Sequence, residues 1–297
     1  MSTVRSVPVP AVSRVWLYLE LTKPDVTFLV VVSTFAGFYL ASPGRLDVWR
    51  LVYAVLGTTL VAAGTAALNH YFERESDALM RRTAQRPLPL GLLRPSEALV
   101  FGLLLIAFGT AGLGFRVNWL SAALALGTTL SYLAAYTPLK KRTTLATLVG
   151  AFPGAVPPLV GWAAAKGSLA LEAWVLYAIL FLWQFPHFMA IAWMYREDYA
   201  RAGIRMLPVV DPEGVATYRQ ILGCSAALLP VSLLPTVLGL AGIHYFFGAS
   251  VLGLAFMQVA IWASRQKTNQ RAKWLMHASV AYLPLLHALM MFDRISR

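Results

Sequence analysis

The sequence predicts an all-α membrane protein: a bundle of nine transmembrane helices around a central cavity that opens to the cytoplasmic side. Three observations predict it. Of 297 residues, 58% are hydrophobic and 13% charged, with a mean hydropathy of +0.63; a soluble domain carries roughly 25% charged residues. The apolar runs have the length of helices that cross a bilayer rather than of barrel strands. The basic residues alternate from loop to loop, with 19 of the 25 Lys and Arg in, or within the first three span residues beside, the N-terminal flank and the loops after spans 2, 4, 6 and 8. By the positive-inside rule those segments and the N-terminus are cytoplasmic and the C-terminus is outside. An even number of spans would destroy this alternation.

The spans fall near 25–41, 48–68, 97–115, 118–136, 144–164, 171–193, 217–240, 243–264 and 273–292. The first is short unless it begins at Thr22. The second runs directly into a polar stripe. The third and fourth are separated by a short connection. The fifth contains Pro153, Pro157 and Pro158, which permit a broken helix. The sixth carries His187 within its apolar run, and the seventh carries the lone cysteine, Cys224, so no intramolecular disulfide or cysteine-cluster metal site can form. The ninth contains His277 and His287, read as hydrogen bonders between packed helices. Trp183, Trp193 and Trp262 fit an interfacial aromatic belt. The N-terminal stretch, MSTVRSVPVPAVSR, lacks the pattern of a secretory signal or of an organellar transit peptide. A bacterial inner-membrane protein is the simplest reading. The net charge of +12 does not argue for nucleic acid, because the basic residues are scattered through short loops.

The chemistry concentrates after span 2, in NHYFERESDALMRRTAQRPLP from Asn69 to Pro89. Asn69, Glu73 and Asp77 recur every four residues, so on a helix their oxygen-bearing side chains share one stripe. Such hard oxygen ligands suit Mg²⁺. Arg74, Arg81, Arg82, Arg86 and Arg94 follow in the same loop, and arginine matches phosphate oxygens with parallel donors. A cation site beside a cationic loop suits a diphosphate. The competing explanation is a solvated helix end whose acids pair the arginines at i, i+4. Metal binding is preferred because Asn69 sits at the membrane boundary, where polar groups are costly.

Loop 6–7, WMYREDYARAGIRMLPVVDPEG, has the same grammar: acids at a helix end, then arginines, then Leu-Pro. Four spans separate the two loops, which reads as a weak internal repeat whose halves each give one polar loop to a shared cavity. Asp198 either holds a second Mg²⁺ or pairs Arg196 or Arg201. Lys140, Lys141 and Arg142 in loop 4–5 are accounted for by positive-inside anchoring. His187 offers an axial nitrogen for a metalloporphyrin, a hydrogen bond, or a partner for a carbonyl.

These segments resemble the protohaem IX farnesyltransferase (haem O synthase) family of the intramembrane prenyltransferase superfamily. The resemblance covers nearly the whole chain. It rests on LTKP at Leu21–Pro24, the Asn69–Leu88 segment, YTPLKKRT at Tyr136–Thr143, PGAVPPLVGW at Pro153–Trp162, WQFPHFMAIAW at Trp183–Trp193, and REDYARAGIRMLPVV at Arg196–Val210. The first acidic motif marks the superfamily; WQFPHF and DYARAGIRMLPVV mark the haem enzymes. The resemblance implies Mg²⁺ held by Asn69, Glu73, Asp77 and Asp198. It implies diphosphate binding by Arg74, Arg86, Lys140, Lys141 and Arg142, and substrate binding by Lys23, His187, Tyr199 and Arg205. It further implies farnesyl diphosphate and haem b as substrates within a lipid bilayer, and allows handover of haem O to a haem A synthase. Two positions depart from the family pattern: Glu73 stands where Asp is usual, and Ala146 where an amide residue is usual. A quinone-pathway aromatic prenyltransferase and a membrane transporter are the competing readings; the transporter is disfavoured because the charges cluster at one face.

Overall fold

The computed structural model describes residues 13–42 and 44–295. The reading of the N-terminal stretch falls mostly outside them, as do the charges of Arg5 and Arg297. Helix α1 (Arg14–Leu21) is followed by α2 (Pro24–Ala41), α3 (Val48–Ala78), α4 (Pro95–Arg116) and α5 (Trp119–Ser131). A π-helical turn (Tyr132–Tyr136) joins α5 to α6 (Thr137–Leu139), and α7 (Ala146–Gly154) and α8 (Pro157–Lys166) follow. The chain continues through α9 (Leu171–Met194), α10 (Arg196–Arg201), α11 (Leu207–Val210), α12 (Val215–Val237), α13 (Ile243–Arg265) and α14 (Asn269–Phe292). Among the described residues eight helical segments are long and apolar enough to cross a membrane. The remaining span, the fourth in chain order, is α5 with its π turn and α6, a continuous helix that the π turn divides into pieces. The chain is a multi-pass integral membrane protein.

The boundaries differ from the sequence reading where polar residues stay helical. Helix α3 runs ten residues past position 68, through the whole acidic stripe, because nothing in FERESDA breaks a helix. Span 5 is broken, as its prolines allow. Phe152 and Pro153 still cap α7 through their carbonyls, and α8 restarts at Pro157 after Ala155 and Val156. Helix α14 begins at Asn269, capped by the Thr268 hydroxyl, which accepts from the Arg271 N–H at 3.3 Å. The short α1 has no counterpart among the sequence-derived spans.

Helix α9 is the hub, packed by α7, α8, α12 and α14, and α2 crosses α8. The α2–α8 crossing depends on two glycines. A Cβ at Gly161 would lie 1.9 Å from the Thr34 carbonyl oxygen, and one at Gly37 would lie 2.2 Å from that of Pro158. Small residues let the backbones approach where lipid provides no hydrophobic drive for helix association.

The tryptophan reading needs correction. Trp183 and Trp193 are buried rather than interfacial; their indole N–H groups donate to the carbonyls of Ser279 at 2.7 Å and Lys267 at 3.0 Å. A buried indole needs such a partner. Trp262 is exposed, with Arg271 stacked 4.3 Å from its ring centroid. His277 is likewise corrected: it lies on the outer face of α14 beside Trp274. His287 is buried, but its Nδ1 has no hydrogen-bond partner.

Candidate functional site

Four segments converge at one end of the bundle: the α1–α2 junction, the end of α3 with its following loop, the loop after α6, and the loop around α10 and α11. The Arg205 N–H donates to the Lys140 carbonyl at 2.8 Å, joining the last two loops. Both Asp198 oxygens accept backbone N–H groups of the first acidic loop, from Arg81 at 3.3 Å and Arg82 at 3.2 Å. The Lys267 ammonium donates to the Glu213 carbonyl at 2.7 Å, bringing the α13–α14 loop to the same end. The two acidic loops thus meet, on the face carrying the excess of positive charge.

The Asn69–Glu73–Asp77 stripe meets a cation at each step. Lys23 donates to Asn69 Oδ1 at 2.5 Å, Lys140 to Glu73 Oε1 at 2.7 Å, and Arg86 to Asp77 Oδ2 at 2.7 Å. Each cation comes from outside α3, so the helix supplies the oxygen row and three other segments supply the charge above it. Asn69 and Asp77 are each 1% exposed. Burial, followed by repulsion from Arg86, lowers the Lys23 ammonium to about 7. Burial also opposes the charge of Lys140, but Tyr136 and Glu73 beside it more than offset that and hold it well above its ordinary value. The Lys140 ammonium lies 4.4 Å from the Tyr136 ring centroid, a contact made by the π turn. Lys23 adopts φ 46°, the only positive φ among the described non-glycine residues. Such a conformation costs a non-glycine residue about 1–3 kcal/mol, and here it turns the ammonium onto the oxygen row just before Pro24.

Among the described residues no three His, Cys, Asp or Glu side chains converge as a ready-made metal cage. Mg²⁺ does not require one, since it commonly takes one or two carboxylates, several waters and substrate phosphates. Asp77 Oδ1 fits that role: it is a buried carboxylate oxygen without a hydrogen-bond partner. Asp198 is differently engaged, because Arg201 and the two N–H groups already occupy both of its oxygens. Its geometry is that of a tie between the loops.

The other sequence candidates lie around this cluster. Tyr199 faces Arg82, whose guanidinium reaches its hydroxyl at 3.5 Å. Arg74 folds back on its own helix, donating to the Tyr71 carbonyl at 2.8 Å. Lys141, Arg142 and Arg205 are exposed and outside the cluster. Ala146 is fully buried and adds no polar group.

Beneath the cluster lies an apolar cavity of about 310 Å³, at the small end of the range for ligand pockets, about 300–1,000 Å³. Lys23 and Tyr136 line its upper end, while Trp183, Gln184, His187 and Phe188 of α9 line it deeper. Gln184 donates to the Ala151 carbonyl at 3.2 Å, satisfying backbone beside the α7–α8 break. Sequence reading missed Tyr136 and Gln184, although the motifs contained both. Neither carries a charge, so no local pattern singled them out. The arrangement holds a polyanionic head among cations while accepting an apolar tail below.

The UbiA prenyltransferase family matches residues 30–283. The protoheme IX farnesyltransferase of Solibacter usitatus is 51% identical over 93% of this chain and 98% of its own length. That of Koribacter versatilis is 49% identical over 97% of both chains. A UbiA homologue from Archaeoglobus fulgidus, solved with DMAPP and Mg²⁺, shares the fold with a TM-score of 0.68 at 16% identity, over 92% of this chain and 98% of that one. This chain belongs to the UbiA prenyltransferase family and, within it, to the protohaem IX farnesyltransferases.

Proposed function

We propose that this enzyme transfers the farnesyl group of farnesyl diphosphate to a vinyl group of haem b, with addition of water, giving haem O. The observation that carries the reading is the Lys23–Arg86–Lys140 cation cluster adjoining an apolar cavity that Lys23 itself lines. Relatives named for this activity, 51% and 49% identical, support the choice of acceptor.

The chain's own residues do the following. Arg86 and Lys140 present charged donors to the diphosphate, and Lys23 does so when protonated. Arg74, Lys141, Arg142 and Arg205 form a basic rim that draws the anion in. Asn69, Glu73 and Asp77 supply the oxygens for Mg²⁺, and Asp198 holds the second loop against them, releasing its present donors if it joins as a ligand. Bound there, Mg²⁺ would neutralise charge developing on the leaving diphosphate. The apolar cavity wall encloses the farnesyl chain and keeps stray water from its allylic carbon. His187 and Tyr199 contact the organic substrates. In the overall change the allylic C–O bond breaks and farnesyl C1 bonds to the terminal vinyl carbon. Water oxygen adds to the inner vinyl carbon, and a proton is released. The reading places the protein in a bacterial inner membrane, with its N-terminus and charged cluster cytoplasmic and its C-terminus outside, and allows handover of haem O to a haem A synthase.

The test is to incubate purified protein in detergent with haem b, farnesyl diphosphate and Mg²⁺, followed by mass-resolved chromatography. A Mg²⁺-dependent product heavier by a farnesyl group plus water is expected. Transfer to 4-hydroxybenzoate or a naphthoate instead of haem would replace the reading with the quinone-pathway one.

A further inference from the structure

His187 and Trp183 lie one turn apart on α9, with rings stacked at 4.8 Å and 15°. Both are held by one residue of α14, Ser279, which is fully buried. Its backbone carbonyl accepts the Trp183 indole N–H at 2.7 Å, and its hydroxyl lies 2.7 Å from His187 Nδ1. The same hydroxyl lies 2.6 Å from the Met276 carbonyl oxygen. Two oxygens this close need a proton between them, and a carbonyl has none to give. The one hydroxyl proton of Ser279 therefore points to Met276. What remains toward His187 is a lone pair, so Nδ1 must carry the proton and donate. A neutral imidazole protonated at Nδ1 has its free lone pair on Nε2. Among the described residues no hydrogen bond engages Nε2, and the ring lines the central cavity.

We propose that Ser279 is a positioning residue that fixes the Nδ1–H tautomer of His187, so that Nε2 serves as the axial ligand to the iron of a tetrapyrrole in the cavity. The proposal rests on the reading that the acceptor is a haem. A ligating histidine characteristically donates its other ring N–H to an oxygen acceptor, which orients the ring and raises its basicity. Stacking on Trp183 restricts the ring further. The Nε2–H tautomer would put a proton where the metal must bind, so the hydroxyl acts on iron only through the imidazole. General-base action on water is the other use of such a nitrogen; the cavity wall around it is largely apolar, which favours a metal held by one strong donor.

The experiment is a titration of the full-length, detergent-purified protein with ferric haem, followed by absorption and resonance Raman spectra. Wild type should show histidine ligation. His187→Ala should lose that signature, and added imidazole should restore it. Ser279→Ala leaves the Trp183 bond intact, because that bond uses the backbone carbonyl. It should weaken haem binding about 10- to 100-fold and give a mixed ligation spectrum. Nitrogen-15 histidine NMR of the haem-free protein should show His187 Nε2 unprotonated in wild type and protonated in a substantial fraction of Ser279→Ala. Wild-type spectra and affinity in both variants would overturn the proposal while leaving haem farnesylation standing, if the same preparations still make haem O. A wild-type protein that neither binds haem nor makes haem O, but prenylates a phenolic acceptor, would overturn both.

Discussion

The loop after α3 and the loop after α9 read alike in sequence, yet the structure uses their acids differently. Asp77 is buried, paired on one oxygen by Arg86 at 2.7 Å, and has nothing on the other. Asp198 accepts from Arg81, Arg82 and Arg201, so a donor already reaches each of its oxygens. One acid keeps capacity for a ligand; the other fastens two loops. Whether an aspartate can take a metal depends less on its motif than on how many donors already reach it.

The largest effect expected is for Asp77→Asn, which should lower kcat about 10²- to 10³-fold, the scale of losing one preorganised charge-stabilising group. The check is Mg²⁺-dependent turnover at matched expression. Glu73→Gln comes next and should sharply weaken the same turnover. Unchanged activity would remove Glu73 from the ligand set. Asp198→Asn sharpens the contrast, with an expected loss of about tenfold in kcat/KM together with a lower detergent melting temperature, because it weakens a loop tie built of hydrogen bonds to a charged group, each worth about 1.5–3 kcal/mol. A loss as large as that of Asp77→Asn, without a change in melting temperature, would show that the two acids share the metal after all. Arg86→Lys keeps the charge but not the parallel donors and should raise KM for the diphosphate about fivefold to tenfold, roughly 1–1.4 kcal/mol. This is checked by steady-state titration.

Asp211 gives the smallest effect and serves as a control away from both clusters. Burial alone would raise its carboxyl pKa, but the Thr217 N–H at 2.8 Å, the Thr217 hydroxyl at 2.9 Å and the Val215 N–H at 3.1 Å hold it below the ordinary value. A depressed folded-state pKa stabilises above the ordinary value, about 3.9, and the contribution is lost as pH falls through the lowered one. Asp211→Ala should cost about 1 kcal/mol at neutral pH and progressively less in acid, with turnover unchanged. Thermal melts at pH 7 and below pH 3 read this directly.

Much of this was legible in the sequence. The spans follow from apolar runs that must satisfy their backbones in lipid, and the shared face from the alternation of Lys and Arg. The four-residue spacing of Asn69, Glu73 and Asp77 is a local property of one helix, so the oxygen row was visible before any tertiary contact was known. The partners were not. Lys23, Arg86 and Lys140 reach that row from three other segments, two of them distant in sequence. The belt reading of Trp183 and Trp193 failed because the sequence shows an aromatic near a span end, not the α14 carbonyl or the loop carbonyl waiting for its N–H. Ser279 belongs to no motif at all; its hydroxyl matters only because the packing of α9 on α14 sets it against a histidine 92 positions away. Sequence by itself determined which segments are long and apolar enough to span and that Asn69, Glu73 and Asp77 share one face of α3, because those depend on composition and spacing within one segment. Only the tertiary structure decided which acid is spent and which is free, because saturation depends on donors that arrive from elsewhere in the chain.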